Sequence, residues 1–215
     1  MAHLNSMADV LALYRDAPLA VRGFLKGRAL LSRMNFIERH VPATGTIVDL
    51  GCGHGLFTNL MALRSPARRV IGIDPSPARI ELARATVGNR TNIEFILGSD
   101  ADIDFECDAI TIVDVLYLVS REEQYRILSE CRRRLRQGGA LIWKAQERRP
   151  RWKFAWTYLQ ELITTSAGLT QAGAGRLAFM SREETLGALR EAGFKPRTVE
   201  MKTRRPYTDI IYLGS

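Results

Sequence analysis

The stretch Thr46-Ile-Val-Asp-Leu-Gly-Cys-Gly-His-Gly-Leu-Phe57 decides the fold of this chain. Its first half is apolar around Asp49 and predicts a buried parallel strand. Its second half has glycine at every other position from Gly51 to Gly55, where a backbone without Cβ atoms adopts positive φ and approaches a ligand. Apolar residues at helical spacing follow. The pattern therefore predicts a strand, a loop and a helix whose first N–H groups point back at the strand end, as in nucleotide sites.

The spacing of these glycines separates two kinds of nucleotide site. A dinucleotide site has G-x-G-x-x-G, because a pyrophosphate rests on the helix N-terminus. Here the pattern is G-x-G-x-G, and Asp49 stands two residues before the first glycine. A carboxylate there repels a pyrophosphate and suits a ligand that carries an amino group or hydroxyls. A glycine-rich turn in an ordinary α/β protein is the alternative.

The next apolar run supplies a second carboxylate. Arg69-Val-Ile-Gly-Ile-Asp74 ends at Asp74, and Pro75-Ser76-Pro77 leads into a helical segment. At the end of a neighbouring parallel strand, a carboxylate can accept hydrogen bonds from both hydroxyls of a ribose. Capping of the following helix is the alternative role for Asp74.

These two motifs resemble those of class I S-adenosylmethionine-dependent methyltransferases. The pattern from Asp49 to Gly55 resembles the family's first motif, and Asp74 matches the acid that binds the ribose. The resemblance covers about residues 45 to 145 and implies S-adenosyl-L-methionine as cofactor and S-adenosyl-L-homocysteine as product. The residues that it places at the cofactor are Asp49, Gly51, Cys52, Gly53, Gly55, Asp74, Pro75, Ser99, Asp100, Ala101, Asp114 and Val115.

The resemblance also implies the architecture. It predicts an α/β fold with a Rossmann-like, seven-stranded, mostly parallel sheet, an antiparallel last strand and helices on both faces. Residues 1–40 are expected to form an N-terminal helical lid that Pro18 and Gly23 break into pieces, although a helix that only covers a sheet edge is the alternative. Residues 41–215 form the methyltransferase domain, with an insert at about 146–180 and two closing strands at Phe194–Met201 and Tyr207–Leu213.

A third predicted strand, Asn92–Gly98, departs from the family's pattern at its end. The family usually has an acid directly after the strand-end glycine, where it accepts from the adenine amino group. In this chain Ser99 takes that place and Asp100 comes one residue later. A one-residue bulge would preserve the role for Asp100; otherwise Ser99 and the backbone serve.

A fourth strand, Asp108–Asp114, is predicted to continue to Val119, and it resembles the family's fourth motif. The resemblance places Asp114 at the ammonium group of the cofactor. It places Tyr117 beside the methyl group as the candidate catalytic and substrate-binding residue, with packing under the loop as the alternative.

The fifth strand is predicted at Ala140–Lys144, after a helix that Gly138-Gly139 ends. His54, inside the cofactor loop, is the only histidine after the N-terminal segment. A base on the acceptor side must therefore be Tyr117 or Lys144, or the acidity of the acceptor itself must suffice.

The insert supplies further acceptor-binding candidates. Cations and aromatic residues interleave around Arg151 and Trp156, which offers both charge and stacking surface. This segment resembles bacterial small-molecule methyltransferases that tailor aromatic pigments and lipid-like natural products. We therefore expect O- or C-methylation of an apolar or aromatic acceptor with a negative group, bound by Tyr117, Lys144, Arg151 and Trp156. Anchoring of the insert by its tryptophans is the alternative.

Composition bounds the remaining choices. The net charge is +8 and the pI about 9.8, so nucleic acid, anionic membranes and acidic small molecules are all candidate partners. The three cysteines form no CxxC pair, which argues against zinc, and we expect no metal. The chain has no apolar run long enough to span a membrane, and we expect a cytoplasmic protein. Met7 is a candidate native start behind a cloning scar, and the sequence leaves this open. An RNA methyltransferase and a non-catalytic cofactor-binding regulator are the alternative functions.

Overall fold

The computed structural model describes residues 6–146, 177–201 and 209–215. The β-strands are β1 Gly45–Leu50, β2 Arg68–Asp74, β3 Ile93–Leu97, β4 Cys107–Val113, β5 Leu135–Gln146, β6 Pro196–Glu200 and β7 Asp209–Gly214. The α-helices are α1 Met7–Ala12, α2 Leu19–Leu31, α3 Met34–Ile37, α4 Leu56–Arg64, α5 Pro77–Arg84, α6 Arg121–Arg134 and α7 Arg182–Glu191. Among the residues described, no helix has the length and apolar character needed to cross a membrane.

The seven strands have the order β3-β2-β1-β4-β5-β7-β6. β1 pairs with β2 and β2 with β3 in parallel, whereas β7 runs antiparallel to both β5 and β6. The predicted mostly parallel sheet with an antiparallel last strand is confirmed. The carboxyl ends of β1 and β2 lie side by side, since Asp49 is in register with Gly72 and Leu50 with Ile73.

The chain divides into two compact units, residues 1–111 and 112–215. In the first unit the centre of β1 and β2 is fully buried, including Ile47, Val48 and Ile71. Helix α4 is buried from Leu56 to Ala62, so this short helix has no solvated face along that stretch. A helix enclosed in this way holds the loop that precedes it in a fixed position.

The second unit contains β5, β7 and β6 with helices α6 and α7. Helix α6 buries Ile127, Leu128 and Cys131, at the spacing of one helix face. The Arg121 guanidinium of α6 forms an ion pair with Glu184 of α7. Arg121 and Glu184 lie 63 residues apart in sequence.

Three boundaries differ from those that the sequence predicts. Pro18 is the N-cap of α2, as a helix breaker should be, but Gly23 lies inside α2 without interrupting it. Helix α6 ends at Arg134, not at the glycine pair, because the chain is already extended at the buried Leu135. The repeat of Ile80, Ala83 and Val87 predicts a helix that Gly88-Asn89 ends, but α5 ends at Arg84.

The end of the fourth strand also differs from the prediction. β4 ends at Val113, and Asp114 has a left-handed backbone with φ of 55°. The residues Leu116–Leu118 form a 3₁₀ turn instead of continuing the strand. A positive φ at a residue other than glycine is uncommon and costs conformational energy, so surrounding contacts must hold it.

Candidate functional site

The glycine loop between β1 and α4 has the backbone that its sequence predicts. Gly51, Gly53 and Gly55 have φ of 74°, 57° and 78°. The N–H groups of Gly51 and Cys52 both donate to the carbonyl oxygen of Ile73, at 2.8 and 3.0 Å. The loop is therefore tied to the end of β2 before any ligand binds.

Two of these glycines have different roles. A Cβ atom on Gly53 would have no neighbour within 4 Å, so the space beside this residue is open. A Cβ atom on Gly55 would lie 2.5 Å from the ring of Phe95 and cannot be accommodated there. Gly53 is thus the position where a ligand can approach the backbone. At Gly55 the missing Cβ atom lets the ring of Phe95 pack against the backbone.

Asp74 lies at the end of β2 with only 2% of its surface exposed. Its Oδ2 accepts from the N–H of Gly53 at 2.8 Å, and its Oδ1 accepts from the N–H of Ser76 at 3.0 Å. The guanidinium of Arg79 lies 3.9 Å from Oδ1. Each carboxylate oxygen has two lone pairs, so these contacts orient Asp74 and still leave it able to accept hydroxyls. Pro75, next in the chain, is exposed.

Asp49 is buried at the end of β1, between two hydroxyl groups. Its Oδ2 accepts from Thr58 Oγ1 at 2.6 Å, and its Oδ1 accepts from Thr111 Oγ1 at 2.8 Å. Burial raises the pKa of Asp49 to about 6, although the two hydroxyls and the charge of Arg28 oppose this shift. Asp49 therefore ties β1 to α4 and β4 and is ionised at neutral pH.

The N-terminal segment lies on the glycine loop. The Tyr14 hydroxyl donates to the carbonyl oxygen of His54 at 2.6 Å and accepts from Asn59 Nδ2 at 3.0 Å. Burial raises the pKa of Tyr14, so its hydroxyl stays protonated and able to donate. The ring of Phe24 on α2 lies 5.8 Å from the ring of His54. The contacts hold this segment against the loop, and its role as a lid stays a prediction.

A second feature of α2, the cation Arg28, was not singled out from the sequence. It stands four residues after Phe24, on the same helix face. Burial lowers the pKa of His54 to about 4, and the charges of Arg79 and Arg28 act in the same direction. The charge of Arg28 therefore acts on the loop, and the i, i+4 spacing from Phe24 was the signal that could have found it.

The Cys52 thiol is held in its protonated form. Burial raises its pKa, and the carboxylates of Asp49 and Asp74 raise it further. This thiol is therefore a neutral neighbour of the loop and not a nucleophile.

The residues predicted at the adenine form a capped turn. Ser99 precedes the 3₁₀ turn Asp100–Asp102. The Ser99 N–H donates to Asp102 Oδ2 at 2.7 Å, and the Ser99 hydroxyl accepts from the N–H of Ala101 at 3.3 Å. Asp100 is buried, whereas Ser99 and Ala101 are exposed. The roles of these three residues at the adenine stay predictions.

Asp114 and Lys144 form a buried ion pair. The Lys144 Nζ lies 2.5 Å from Asp114 Oδ1, and the side chains are 2% and 6% exposed. The Asp114 N–H also donates to the Lys144 carbonyl oxygen at 3.4 Å. A cation thus already balances the Asp114 carboxylate, and an ammonium group would have to share it. Val115, the other residue predicted here, is partly exposed.

Tyr117 lies in an aromatic pocket. Its ring stacks on Phe179 with the ring centroids 4.5 Å apart, and its carbonyl oxygen accepts from the N–H of Ala178 at 2.8 Å. A narrow cleft beside this ring is lined by Tyr117, Gln124, Trp143, Ala145, Phe179, Met180 and Thr185. Phe179 follows Tyr117 by more than sixty residues. No local pattern could have paired them.

Two predicted acceptor-binding residues, Arg151 and Trp156, lie outside the described residues. Within the ranges that the structure describes, no group of three or more His, Cys, Asp or Glu residues could hold a metal ion. The expected independence of metal stays a prediction.

The similarity of this chain to known proteins includes the residues of the glycine loop. Residues 47–139 match the family model described as Methyltransferase domain. The demethylmenaquinone methyltransferase of Lactococcus lactis is 32% identical over 117 residues, which are 52% of this chain and 46% of that protein. The ubiquinone biosynthesis O-methyltransferase of Marinobacter nauticus is 26% identical over 193 residues, covering 85% of this chain and 77% of that protein.

A solved structure extends the likeness to the fold of the whole chain. The magnesium protoporphyrin IX methyltransferase of Synechocystis, solved with bound S-adenosylhomocysteine, has a TM-score of 0.65 and 20% identity to this chain. The match covers 99% of this chain and 95% of that one. At this identity the likeness concerns the fold.

Proposed function

We propose that the chain is a class I S-adenosylmethionine-dependent methyltransferase that transfers the cofactor's methyl group to a small organic acceptor; the match of residues 47–139 to the methyltransferase domain supports this. The observation that carries this proposal is the position of the Asp74 carboxylate. It is bonded to the N–H of Gly53 at 2.8 Å, beside the open space at that glycine. A ligand that enters this space meets an acceptor of hydroxyl hydrogens and a backbone without a Cβ atom.

The residues of the first unit fit the adenosine half of the cofactor. Asp74 would accept from the two ribose hydroxyls, and Gly53 would allow the close approach. Pro75 and the turn formed by Ser99, Asp100 and Ala101 would border the adenine. Because Asp74 is almost fully buried, some of the groups that cover it would have to shift when the ribose binds.

The methionine half carries an ammonium and a carboxylate, and the loop is flanked by groups of both signs. Asp49 supplies negative charge at the end of β1, and Arg28 on α2 supplies positive charge close enough to act on the pKa of Asp49. We assign the ammonium to the side of Asp49 and the carboxylate to Arg28. Cys52, Asp114 and Val115 remain candidates at this end of the cofactor.

The bound cofactor supplies an electrophilic methyl group on a sulfonium. The residues of this chain would align the acceptor with that methyl group. They would also remove a proton where an oxygen or carbon acceptor requires it. Tyr117 and Lys144 are the residues proposed for this side. Lys144 pairs with Asp114, so it would act as a positive charge beside the acceptor and not as a free amine.

The acceptor we propose is an aromatic or lipid-like metabolite with a negative group. The character of the cleft beside Tyr117 supports an apolar or aromatic acceptor, because its lining includes Trp143, Phe179 and Met180. The relatives named for demethylmenaquinone and for ubiquinone biosynthesis support the same class. Arg151 and Trp156 are proposed to bind the negative group and to stack on the ring.

Turnover of radiolabelled S-adenosylmethionine with cell extract tests this function. The extract is separated into lipid, small-molecule and RNA pools after the reaction, and Asp74→Ala protein is the control. The proposal requires label in the lipid or small-molecule pool with wild type alone. Label in the RNA pool would make the chain an RNA methyltransferase, and tight cofactor binding without transfer to any pool would make it a regulator.

A further inference from the structure

A series of hydrogen bonds crosses the interior of the first unit and ends on the glycine loop. It begins at the guanidinium of Arg90, whose Nη2 donates to Asn59 Oδ1 at 2.6 Å. Asn59 Nδ2 donates to the Tyr14 hydroxyl at 3.0 Å, and this hydroxyl donates to the carbonyl oxygen of His54 at 2.6 Å. The three side chains Arg90, Asn59 and Tyr14 are called the polar network.

The chemistry of each group fixes the direction of every bond in the polar network. A guanidinium can only donate, so the oxygen of the Asn59 amide must be the atom that faces Arg90. The Asn59 nitrogen then supplies the donors, and one of them also reaches the Gly55 carbonyl oxygen at 2.8 Å. The single hydrogen of the Tyr14 hydroxyl therefore points at His54, because a carbonyl oxygen can only accept. Bonds that all point the same way strengthen one another.

The polar network is buried and is anchored at the end that lies away from the loop. Tyr14 is 3% exposed and Asn59 is fully buried. Arg90 is held by the turn after α5, where its Nε donates to the Val87 carbonyl oxygen at 3.1 Å and its Nη2 to that of Thr86 at 2.6 Å. Loss of the Tyr14 hydroxyl would leave a buried amide hydrogen of Asn59 with one acceptor fewer, which costs free energy.

The bond from Tyr14 acts on a peptide group inside the glycine loop. The carbonyl of His54 and the N–H of Gly55 belong to one planar peptide group. The Gly55 N–H donates to the Cys52 carbonyl oxygen at 3.0 Å, so this peptide group is bonded at both of its ends. Gly53, where a ligand can approach the backbone, directly precedes His54. The orientation of this peptide group therefore bears on the positive φ of Gly53 and of Gly55.

Direct contact between Tyr14 and a ligand fits these observations less well. The Tyr14 hydroxyl already has one partner as donor and one as acceptor. Burial raises the pKa of Tyr14, so it offers a ligand no negative charge. Packing of the Tyr14 ring alone would anchor the N-terminal segment without giving the hydroxyl a role.

We propose that Tyr14 is a positioning residue for cofactor binding, whose hydroxyl holds the His54 carbonyl and with it the glycine loop. Asn59 and Arg90 act on the loop through Tyr14. The effect on the loop needs no ligand, because every bond of the polar network joins groups of the protein itself. The effect on S-adenosylmethionine binding rests on the proposed function.

Amide hydrogen exchange of the protein without cofactor tests the effect on the loop. Tyr14→Phe keeps the ring and removes the hydroxyl. We expect the amides of residues 51–55 to exchange at least tenfold faster in this variant, and those of residues 70–73 in β2 to change by a clearly smaller factor. Unchanged exchange in the loop would overturn the proposal. Equal acceleration in the loop and in β2 would also overturn it, since that result describes a general loss of stability.

The matched control is Ser65→Ala, which removes another hydroxyl that donates to a backbone carbonyl. Ser65 Oγ donates to the Ala43 carbonyl oxygen at 2.5 Å, just before the start of β1 and away from the glycine loop at its end. The loop amides of Ser65→Ala should exchange at the wild-type rate. Faster loop exchange in this control, equal to that of Tyr14→Phe, would overturn a specific role for Tyr14.

Arg90→Met tests whether the anchored end of the polar network acts through Tyr14. Methionine has no donor for Asn59, and we expect loop exchange at least threefold faster than in wild type. The double variant with Tyr14→Phe should stay within twofold of Tyr14→Phe alone, because residues of one network do not act independently. Effects that multiply in the double variant would overturn the action of Arg90 through Tyr14.

Calorimetry of S-adenosylmethionine binding tests the consequence for the cofactor. We expect at least fivefold weaker binding by Tyr14→Phe and wild-type binding by Ser65→Ala. Wild-type affinity in Tyr14→Phe would overturn the positioning role. A wild-type protein that bound no S-adenosylmethionine would overturn the proposed function and the cofactor part of this inference, and the exchange rates would still decide whether Tyr14 holds the loop.

Discussion

At the scale of single residues, three carboxylates that the sequence predicts at the cofactor are already held by donors of the protein. Asp49 accepts from two hydroxyls, Asp74 from two backbone N–H groups, and Asp114 from the Lys144 ammonium. Such contacts cost binding energy if they must break, but they fix the carboxylates in one orientation before the ligand arrives. Asp114 is the most constrained, because it combines a buried charge with a left-handed backbone.

The Lys144→Met variant tests the buried pair. It leaves the Asp114 carboxylate buried without its cation, and we expect a loss of about 3–5 kcal/mol in the free energy of unfolding. The double variant Lys144→Met with Asp114→Asn removes both charges, and asparagine tolerates the left-handed backbone. Urea unfolding at pH 7 should show the double variant as the more stable of the two. A double variant no more stable than the single one would contradict this account of the pair.

At the scale of elements, the strand, the glycine loop and α4 were predictable because every signal for them is local. The apolar run, the alternating glycines and the helix start occupy one continuous stretch of sequence. The end of α6 was not predictable in this way. Gly138-Gly139 is a good helix stop in isolation, but the burial of Leu135 takes the chain out of the helix first. Burial depends on distant residues that a local pattern does not contain.

His54 in the glycine loop and Asp49 on β1 should make the stability of the protein depend on pH in opposite directions. The pKa of His54 falls from 6.5 to about 4 on folding, so its contribution to stability is lost as pH falls from 6.5 towards 4. The pKa of Asp49 rises from 3.8 to about 6, so its contribution is lost as pH rises through this range. The stability of His54→Asn relative to that of wild type should therefore be higher at pH 4.5 than at pH 6.5.

Asp49→Asn provides the matched comparison. Asparagine is neutral like the protonated acid. The free energy of unfolding of this variant, relative to that of wild type, should therefore rise as pH rises from 4.5 to 6.5. Urea midpoints at the two pH values measure both differences. Parallel pH dependence in wild type and both variants would show that neither group changes its pKa on folding.

At the scale of the whole molecule, the seven-stranded, mostly parallel sheet and its antiparallel last strand were predictable through the resemblance of the motifs to a known family. The aromatic cleft beside Tyr117 could not be predicted from the sequence. Tyr117 and Phe179 meet across a long stretch of chain, and stacking between them has no signature in sequence spacing. The position of Arg28 opposite the loop likewise depends on how α2 packs.

Metal independence is a prediction about the whole reaction. A site for magnesium beside the acceptor would need several oxygen ligands brought together, and the part of the chain that the structure describes offers no cluster of three acidic or metal-binding side chains. Once an acceptor is found, its methylation should proceed at an unchanged rate in the presence of a chelator. Activity that disappears with chelator and returns with magnesium would overturn this prediction.

The most direct test of the central claim is calorimetry of S-adenosylmethionine binding to Asp74→Ala. The variant loses the carboxylate that we assign to the ribose, and we expect affinity to fall by about 1.5–3 kcal/mol, the range for hydrogen bonds to a charged group. Asp104→Ala, which removes an exposed carboxylate after the third strand, is the control and should bind as wild type does. A folded Asp74→Ala protein with wild-type affinity would contradict the cofactor site described for this chain.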